Sequence, residues 1–180
     1  MADKKSGKFN KMEKPENLYY ASVTISGIKF DIFSTRKGIK KILLNKRSSQ
    51  INSQEATKLY ADDPFMFNIF TQLKEYFSNK RKKFYVPLDI EGTKFQMKVW
   101  NELKKIPYGK TASYKDIAIA IGNVKAVRAI GRANGRNPVP IIIPCHRVIE
   151  HSGKLGGYSG GTGIKEKLLE LEGSLSMELF

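Results

Sequence analysis

The sequence predicts two joined units: a small α/β domain with an antiparallel sheet and a helix, then a mostly α domain built on a helix-turn-helix. Three observations predict this. Residues 18–44 alternate apolar and polar side chains with the period of strands. After Gly92 the apolar spacing becomes helical, and Ser/Thr capping signatures appear. Two short helical segments are then joined by a turn containing Gly122. The division falls at 91/92, giving units 1–91 and 92–180 of a chain of 180 residues.

Each element has its own signal. Tyr19, Ala21, Val23 and Ile25 alternate with Tyr20, Ser22 and Thr24, and Ser26-Gly27 supplies a turn. Ile28, Phe30 and Ile32 continue the alternation, and Gly38 breaks it before Ile39–Leu44, so three antiparallel strands are expected. Phe65, Ile69, Leu73 and Phe77 fall four apart, which predicts a helix with that face buried. "KFYVPLDIEGT" reads as a short strand followed by a linker through Pro87 and Gly92.

In the second unit, Thr93 with Gln96 marks a capping box for a helix carrying Phe95, Val99, Leu103 and Ile106. Ser113 with Asp116 marks another, running to Gly122. Asn123 is placed to cap a third helix from Val124. At 100° per residue, Lys125, Arg128, Arg132 and Arg136 of that helix lie within about 80° of one another, and Val127 and Ile130 lie opposite, toward the core. Ala126, Ala129, Gly131, Ala133 and Gly135 leave the helix surface low, which allows close approach to another surface. A solvated basic face and a phosphate-binding face both fit this pattern.

The charge favours the second reading. The net charge is +15, the signature of a polyanionic partner, most often nucleic acid. No apolar stretch approaches the ~18 residues of a membrane span, so no membrane association is expected. The start, "MADKKSGKFNKMEK", lacks the apolar core of a signal peptide and reads as a basic, mobile tail. One cysteine and two histidines can form neither an internal disulfide nor a closed zinc site, and the chain suits a reducing compartment.

That one cysteine stands in "NPVPIIIPCHRV". Three prolines each remove a backbone donor, so the segment reads as a rigid, extended passage rather than a sheet strand. Cys145 in apolar surroundings is either an inert small hydrophobe or, with His146 able to take its proton, a nucleophile. Adjacent side chains on an extended chain point apart, so contact between them needs a turn or a bridging water. In "GIKEKLLELEG", Ile164, Leu168 and Leu171 form one helical stripe, and Glu172 lies about 40° from Leu168. A carboxylate there opposes the helix dipole. It is either a surface glutamate or a group that orients the base.

Taken together these residues resemble the O6-alkylguanine-DNA alkyltransferases. The likeness is carried by "PCHRV", preceded by "NPVPIII" and followed by "GGYSGG" and "KLLELEG", together with "GTKFQMKVW", "IPYGKTASY" and "AVRAIGRANGRNP". It spans roughly residues 92 to 173, and the first unit matches in general character. The resemblance implies an RNase H-like first domain and a winged-helix-like second domain. It implies DNA repair by direct reversal, with irreversible, single-turnover transfer of the alkyl group of O6-alkylguanine, and of O4-alkylthymine, to a cysteine after nucleotide flipping. No cofactor would be needed.

The same resemblance implies roles for particular residues. Cys145 would be the nucleophile, His146 its base through a water, and Glu172 the group that orients His146. Asn137 would hold the turn before the active-site segment. Tyr114 would crowd the DNA backbone and protonate the departing guanine. Val148, Tyr158 and Ser159 would contact the guanine. Arg128 would fill the gap left by the flipped nucleotide, with Ser113, Lys125, Ala126, Ala129, Gly131 and Arg132 also at the DNA. The partner would be double-stranded DNA, entered from the minor groove by a monomer, in the cytoplasm of a prokaryote or the nucleus of a eukaryote.

Two departures stand out. The chain lacks the Cys and His residues of the zinc site that some members carry, so no metal is expected. Asn134 stands where some relatives have a larger apolar residue, which leaves substrate breadth open. Cys145 separates the chain from the branch that binds alkylated DNA without a cysteine. Two other readings stay open at this point: a non-catalytic helix-turn-helix DNA binder, and a hydrolase using Cys145, His146 and Glu172.

Overall fold

The computed structural model describes residues 17–45, 56–60 and 63–175; the basic N-terminal tail lies outside them. The three expected strands form as β1 (Leu18–Ile25), β2 (Ile28–Ser34) and β3 (Ile39–Leu44). They pair antiparallel, with Tyr19 opposite Ser34 and Phe30 opposite Leu44. Ser26 and Gly27 both take positive φ, 51° and 76°, as a tight hairpin turn matched to strand twist requires. A fourth strand that the sequence did not signal, β4 (Ala56–Lys58), adds parallel to β1, so the sheet is mixed, in the order β3-β2-β1-β4.

Helix α1 (Pro64–Phe77) starts as its sequence dictates, with the Asp63 carboxylate accepting from Phe65 N and Met66 N and a proline in the first turn. Its buried face is rotated from the expected stripe. Met66, Ile69, Phe70, Leu73 and Tyr76 are inside, while Phe65 and Phe77 are only partly covered. The short strand expected at the start of "KFYVPLDIEGT" does not form. A single bridge joins Leu88 to Ile39, through Ile39 N to Pro87 O and Asp89 N to Ile39 O, both 2.9 Å. Pro87 has no N–H to extend the ladder.

In the second unit α2 (Lys94–Leu103) and α3 (Tyr114–Ala120) both begin with complete capping boxes, at Thr93/Gln96 and Ser113/Asp116. A two-residue strand, β5 (Ala112–Ser113), precedes α3 and pairs parallel with β6 (Val148–Ile149). Gly122, at φ 75°, ends α3. Asn123 makes no side-chain cap, because the chain next winds as a 3₁₀ turn, Val124–Ala126, before α4 (Val127–Gly135). A 3₁₀ turn advances ~120° per residue, so the phase of the α-helical reading slips there. Ala126 therefore turns into the core, and Val127, expected inside, is 37% exposed. Ile130, Ala133 and Asn134 supply the buried face of α4, and the buried Trp100 ties α2 to it by donating Nε1–H to Ala133 O at 2.9 Å.

Helix α5 (Thr162–Leu171) closes the fold, with Lys165, Leu168 and Leu169 buried. Ile164 and Leu171, expected beside Leu168, are only half-buried. One apolar cluster runs through both units, from Phe30 and Ile42 of the sheet to Val99, Ile130 and Leu168. Polar ties cross as well: Ile42 N to Pro138 O at 2.8 Å, and Tyr108 OH to Asn79 Oδ1 at 3.1 Å.

Gly38 marks where the 83–91 segment crosses closest to the sheet. A β-carbon at Gly38 would lie 2.6 Å from the carbonyl carbon and oxygen of Pro87, backbone that cannot swing aside. Gly38→Ala is expected to cost about 2 kcal/mol, lowering Tm by roughly 4 °C or more in a thermal melt.

Candidate active site

The segment before the thiol is a stack of turns and not the extended passage expected. Ile143 N donates to Val139 O at 3.0 Å, Cys145 N to Ile143 O at 2.8 Å and Arg147 N to Pro144 O at 3.0 Å. Ile141 takes φ 75°, a conformation that costs a β-branched residue of order 1–3 kcal/mol. Asn137 holds this shape: its Nδ2 donates to Ile143 O at 2.8 Å, and its Oδ1 accepts from Val139 N at 3.1 Å. The turns continue into a 3₁₀ turn at Cys145–Arg147, followed by β6.

The 3₁₀ turn brings two adjacent side chains, His146 and Arg147, onto one carboxylate. His146 is fully buried, and its Nε2 lies 2.9 Å from Glu172 Oε1. Arg147 grips the same carboxylate, with Nε to Oε2 at 2.7 Å and Nη2 to Oε1 at 2.9 Å. Tyr76, from α1 of the first unit, donates to Glu172 Oε1 at 2.6 Å, and Gly109 N donates to Oε2 at 3.4 Å. Glu172 is 5% exposed, not a surface glutamate. Burial alone would raise its pKa, but the hydrogen bonds from His146 and Arg147 and the Arg147 charge outweigh this and hold it at about 2.

The charge states follow. Burial pushes His146 below its ordinary value, against the pull of Glu172, so the imidazole is neutral near pH 7. Facing an ionised carboxylate, Nε2 keeps the proton. Nδ1 is then a bare acceptor, and it has no protein partner. Cys145 is 1% exposed, and burial pushes its thiol up to about 11, opposed by the Asn137 side chain and the Lys165 ammonium. The resting sulfur is therefore a protonated thiol with a neutral base next in the chain.

Around the sulfur, Val148 is fully buried, and the Tyr158 hydroxyl is buried beside Cys145 without a hydrogen bond of good geometry. Ser159 is exposed and lines a separate cavity with Asn137 and Pro140. Tyr114 is half-buried. A β-carbon at Gly131 would lie 3.9 Å from its ring and one at Gly156 3.4 Å from its hydroxyl, so Tyr114 reaches from α4 to the loop before α5. Burial raises its pKa, and the nearby Cys145 and Glu150 add to the rise. Asn134 donates Nδ2 to Cys145 O at 3.3 Å.

The basic stripe lies on a different surface. Lys125, Arg128, Arg132 and Arg136 are all exposed, and Ala129 and Gly131 are half-covered between them. The exposed Ile119, Val124 and Val127 add an apolar strip, 55%, 61% and 37% exposed. Ala126 and Ser113 do not present side chains there: Ala126 is in the core, and the Ser113 hydroxyl caps α3. Among the described residues no group of three His, Cys, Asp or Glu is placed to hold a metal, and no helix is long and apolar enough to cross a membrane.

Three residues at the centre were not found from sequence. Arg147 follows the thiol in "PCHRV", and its polar character inside an apolar run was the available signal. Tyr76 lies off the expected stripe of Phe65, Ile69, Leu73 and Phe77, and nothing in the sequence marked it. Lys165 sits at 0% exposure, donating Nζ to the carbonyls of Val148 (2.6 Å) and Leu155, and burial lowers its pKa to about 8. A lysine within "GIKEKLLELEG" gives no hint of burial.

A buried cysteine next in the chain to a His–Glu pair, in a two-part α/β and helix-turn-helix chain, is an arrangement that a thiol-based transferase and a cysteine hydrolase share, and the relatives of the chain separate them. Residues 19–90 match the 6-O-methylguanine DNA methyltransferase ribonuclease-like domain, and residues 94–174 match the DNA binding domain of the same family. The chain belongs to the methylated-DNA–protein-cysteine methyltransferase family and has its activity, methyl transfer from DNA to a protein cysteine in DNA repair. It is 49% identical to the Methanosarcina acetivorans methylated-DNA–protein-cysteine methyltransferase over 77% of this chain and 87% of that one. It is 44% identical to the inducible Bacillus subtilis enzyme over 93% and 90%. The crystal structure of Mycobacterium tuberculosis OGT in complex with DNA aligns with TM-score 0.78 and 39% identity, covering 87% of this chain and 93% of that one.

The Tyr76–Glu172 bond gives a direct test. Tyr76→Phe removes a hydrogen bond to a charged group, about 1.5–3 kcal/mol, and should lower Tm by several degrees. Glu172 has a folded pKa below its ordinary 4.5, so its contribution to stability is complete above about pH 4.5 and lost as pH falls toward about 2. Losing one donor to the ionised form raises that folded pKa. The variant should therefore begin to unfold at a higher pH in an acid titration followed by circular dichroism.

Proposed function

We propose that this chain removes the alkyl group of O6-alkylguanine, and of O4-alkylthymine, in double-stranded DNA by moving it once and irreversibly onto Cys145. The observation that carries the proposal is the ordered pair beside the thiol: a neutral His146 whose Nε2–H is committed to Glu172 and whose Nδ1 is a free acceptor. The reaction is a displacement at an sp³ carbon. Sγ forms the new S–C bond as the C–O6 bond breaks. The thiol proton passes through a water to His146 Nδ1, and the guanine leaves with the electron pair. Tyr114, kept protonated by its raised pKa, donates a proton to the departing base. A thioether is a poor leaving group, so the thiol is not regenerated.

The target atom is inaccessible in a stacked duplex, so the nucleotide must be flipped out at a cost of a few kcal/mol. Arg128 fills the gap, and Lys125 and Arg132 bind phosphates on either side. The low Ala129–Gly131 surface and the exposed Val127 favour the minor groove, where apolar wedges and close backbone contact are the usual means. Val148, Tyr158 and Ser159 line the pocket for the flipped base, and Asn137 couples its floor to α4. The protein acts as a monomer without cofactor, in the cytoplasm of a prokaryote or the nucleus of a eukaryote, where a lone thiol stays reduced.

Intact mass after incubation with an oligonucleotide containing O6-methylguanine is the test. A gain of one methyl, mapped to Cys145 and absent in Cys145→Ala, supports the proposal; an unchanged mass, or transfer persisting in the variant, overturns it. Arg128→Ala should slow repair of duplex DNA at least ~10-fold while leaving reaction with free O6-benzylguanine near wild type, since only the duplex requires flipping. Equal slowing of both would refute the role given to Arg128.

A further inference from the structure

Behind the active-site turns lies a cavity of about 620 Å³ that neither Cys145 nor any residue of α4 lines. It opens between residues 82–85, the end of α2 with the loop to Tyr108, and the turns from Ile141 to Arg147. Four lysines surround it, Lys82, Lys83, Lys104 and Lys105, and no carboxylate is among its lining residues. Glu102 answers one of these charges from outside, at 2.7 Å from Lys105 Nζ, and Lys104 Nζ lies 3.5 Å from Asn101 Oδ1.

The floor of the cavity is Arg147, a residue 6% exposed. Its guanidinium has five N–H groups. Three are committed, two to Glu172 and one to Ile106 O at 2.7 Å, and the group lies over the Tyr108 ring with Cζ 5.8 Å from its centroid, which leaves two N–H groups with no oxygen acceptor. A flat aromatic surface stands at the mouth, where Tyr85 is 72% exposed. The Tyr108 ring, by contrast, is covered by Lys82 Nζ at 5.6 Å from its centroid.

We propose that this cavity is a second nucleotide-binding site, separate from the α4 surface. It takes a phosphate against the lysines and the spare Arg147 donors, and a base stacked on Tyr85. Lysines around a cavity that no carboxylate lines attract any anion. The exposed ring beside them selects one that carries a planar base, the pairing of charge and stacking by which proteins hold single-stranded nucleic acid. The same chemistry is offered by a free nucleotide and by one unit of a strand.

The test uses the full chain carrying Arg128→Ala and Arg132→Ala, which weakens the α4 surface, and fluorescein-labelled hexathymidylate followed by anisotropy at low salt. Binding should remain in that background. It should fall about tenfold with Lys82→Glu plus Lys104→Glu, and about fivefold with Tyr85→Ala. All three positions are exposed, so these changes leave the fold intact, and alkylation by free O6-benzylguanine should be unaltered. Competition by millimolar thymidine monophosphate identifies a site that takes free nucleotides, and its failure identifies a strand as the ligand. Either result sustains the proposal. Unchanged hexathymidylate affinity in both sets of variants overturns it. So does equal competition by hexaglutamate with no effect of Tyr85→Ala, which would make the cavity a site for acidic peptides.

Discussion

The Glu172 carboxylate is the constraint on which the rest depends. It is buried and ionised, and it accepts from His146, Tyr76, Gly109 and twice from Arg147. A buried carboxylate without such partners would be protonated or would unfold the site. Burial keeps His146 neutral against the pull of that carboxylate, and the Arg147 charge adds to the effect. That single electrostatic balance sets the tautomer of the base. It also joins three parts of the chain: the active-site turn, the end of α5, and α1 of the first unit through Tyr76. The first unit thus contacts the carboxylate that holds His146, through the Tyr76 hydroxyl.

Reactivity and rigidity are set by the same packing. Cys145 is sealed, its thiol raised to about 11, and the turn that holds it is kept in a strained shape by Asn137, with Ile141 at positive φ. An accessible, acidic thiolate would react with any electrophile. A buried, protonated thiol is shielded from them. Lys165 strengthens this arrangement from beneath, fixing Val148 O and Leu155 O and placing a positive charge near the sulfur.

The sequence disclosed most of what local rules govern. Strand alternation, the Ser26-Gly27 turn and both capping boxes appear where they were expected, because each depends on residues within a few positions. What failed depended on phase or on distant partners. A 3₁₀ turn at Val124–Ala126 moved Val127 out and Ala126 in. Pro87 stopped a strand whose composition favoured one. Cys145, His146 and Glu172 were legible through motif and spacing. Tyr76, Arg147 and Lys165 were not, because a tyrosine, an arginine or a lysine becomes a site residue only when a remote partner buries with it.

The central claim is that His146 rests as a neutral imidazole with its proton on Nε2 and its Nδ1 bare. The direct measurement is ¹⁵N NMR of the histidine side chains, with only His146 and the exposed His151 to distinguish. The account predicts a protonated Nε2 and an unprotonated Nδ1 for His146 at pH 7, persisting as pH is lowered through 6.5. A proton on Nδ1, or an imidazolium at neutral pH, would contradict it.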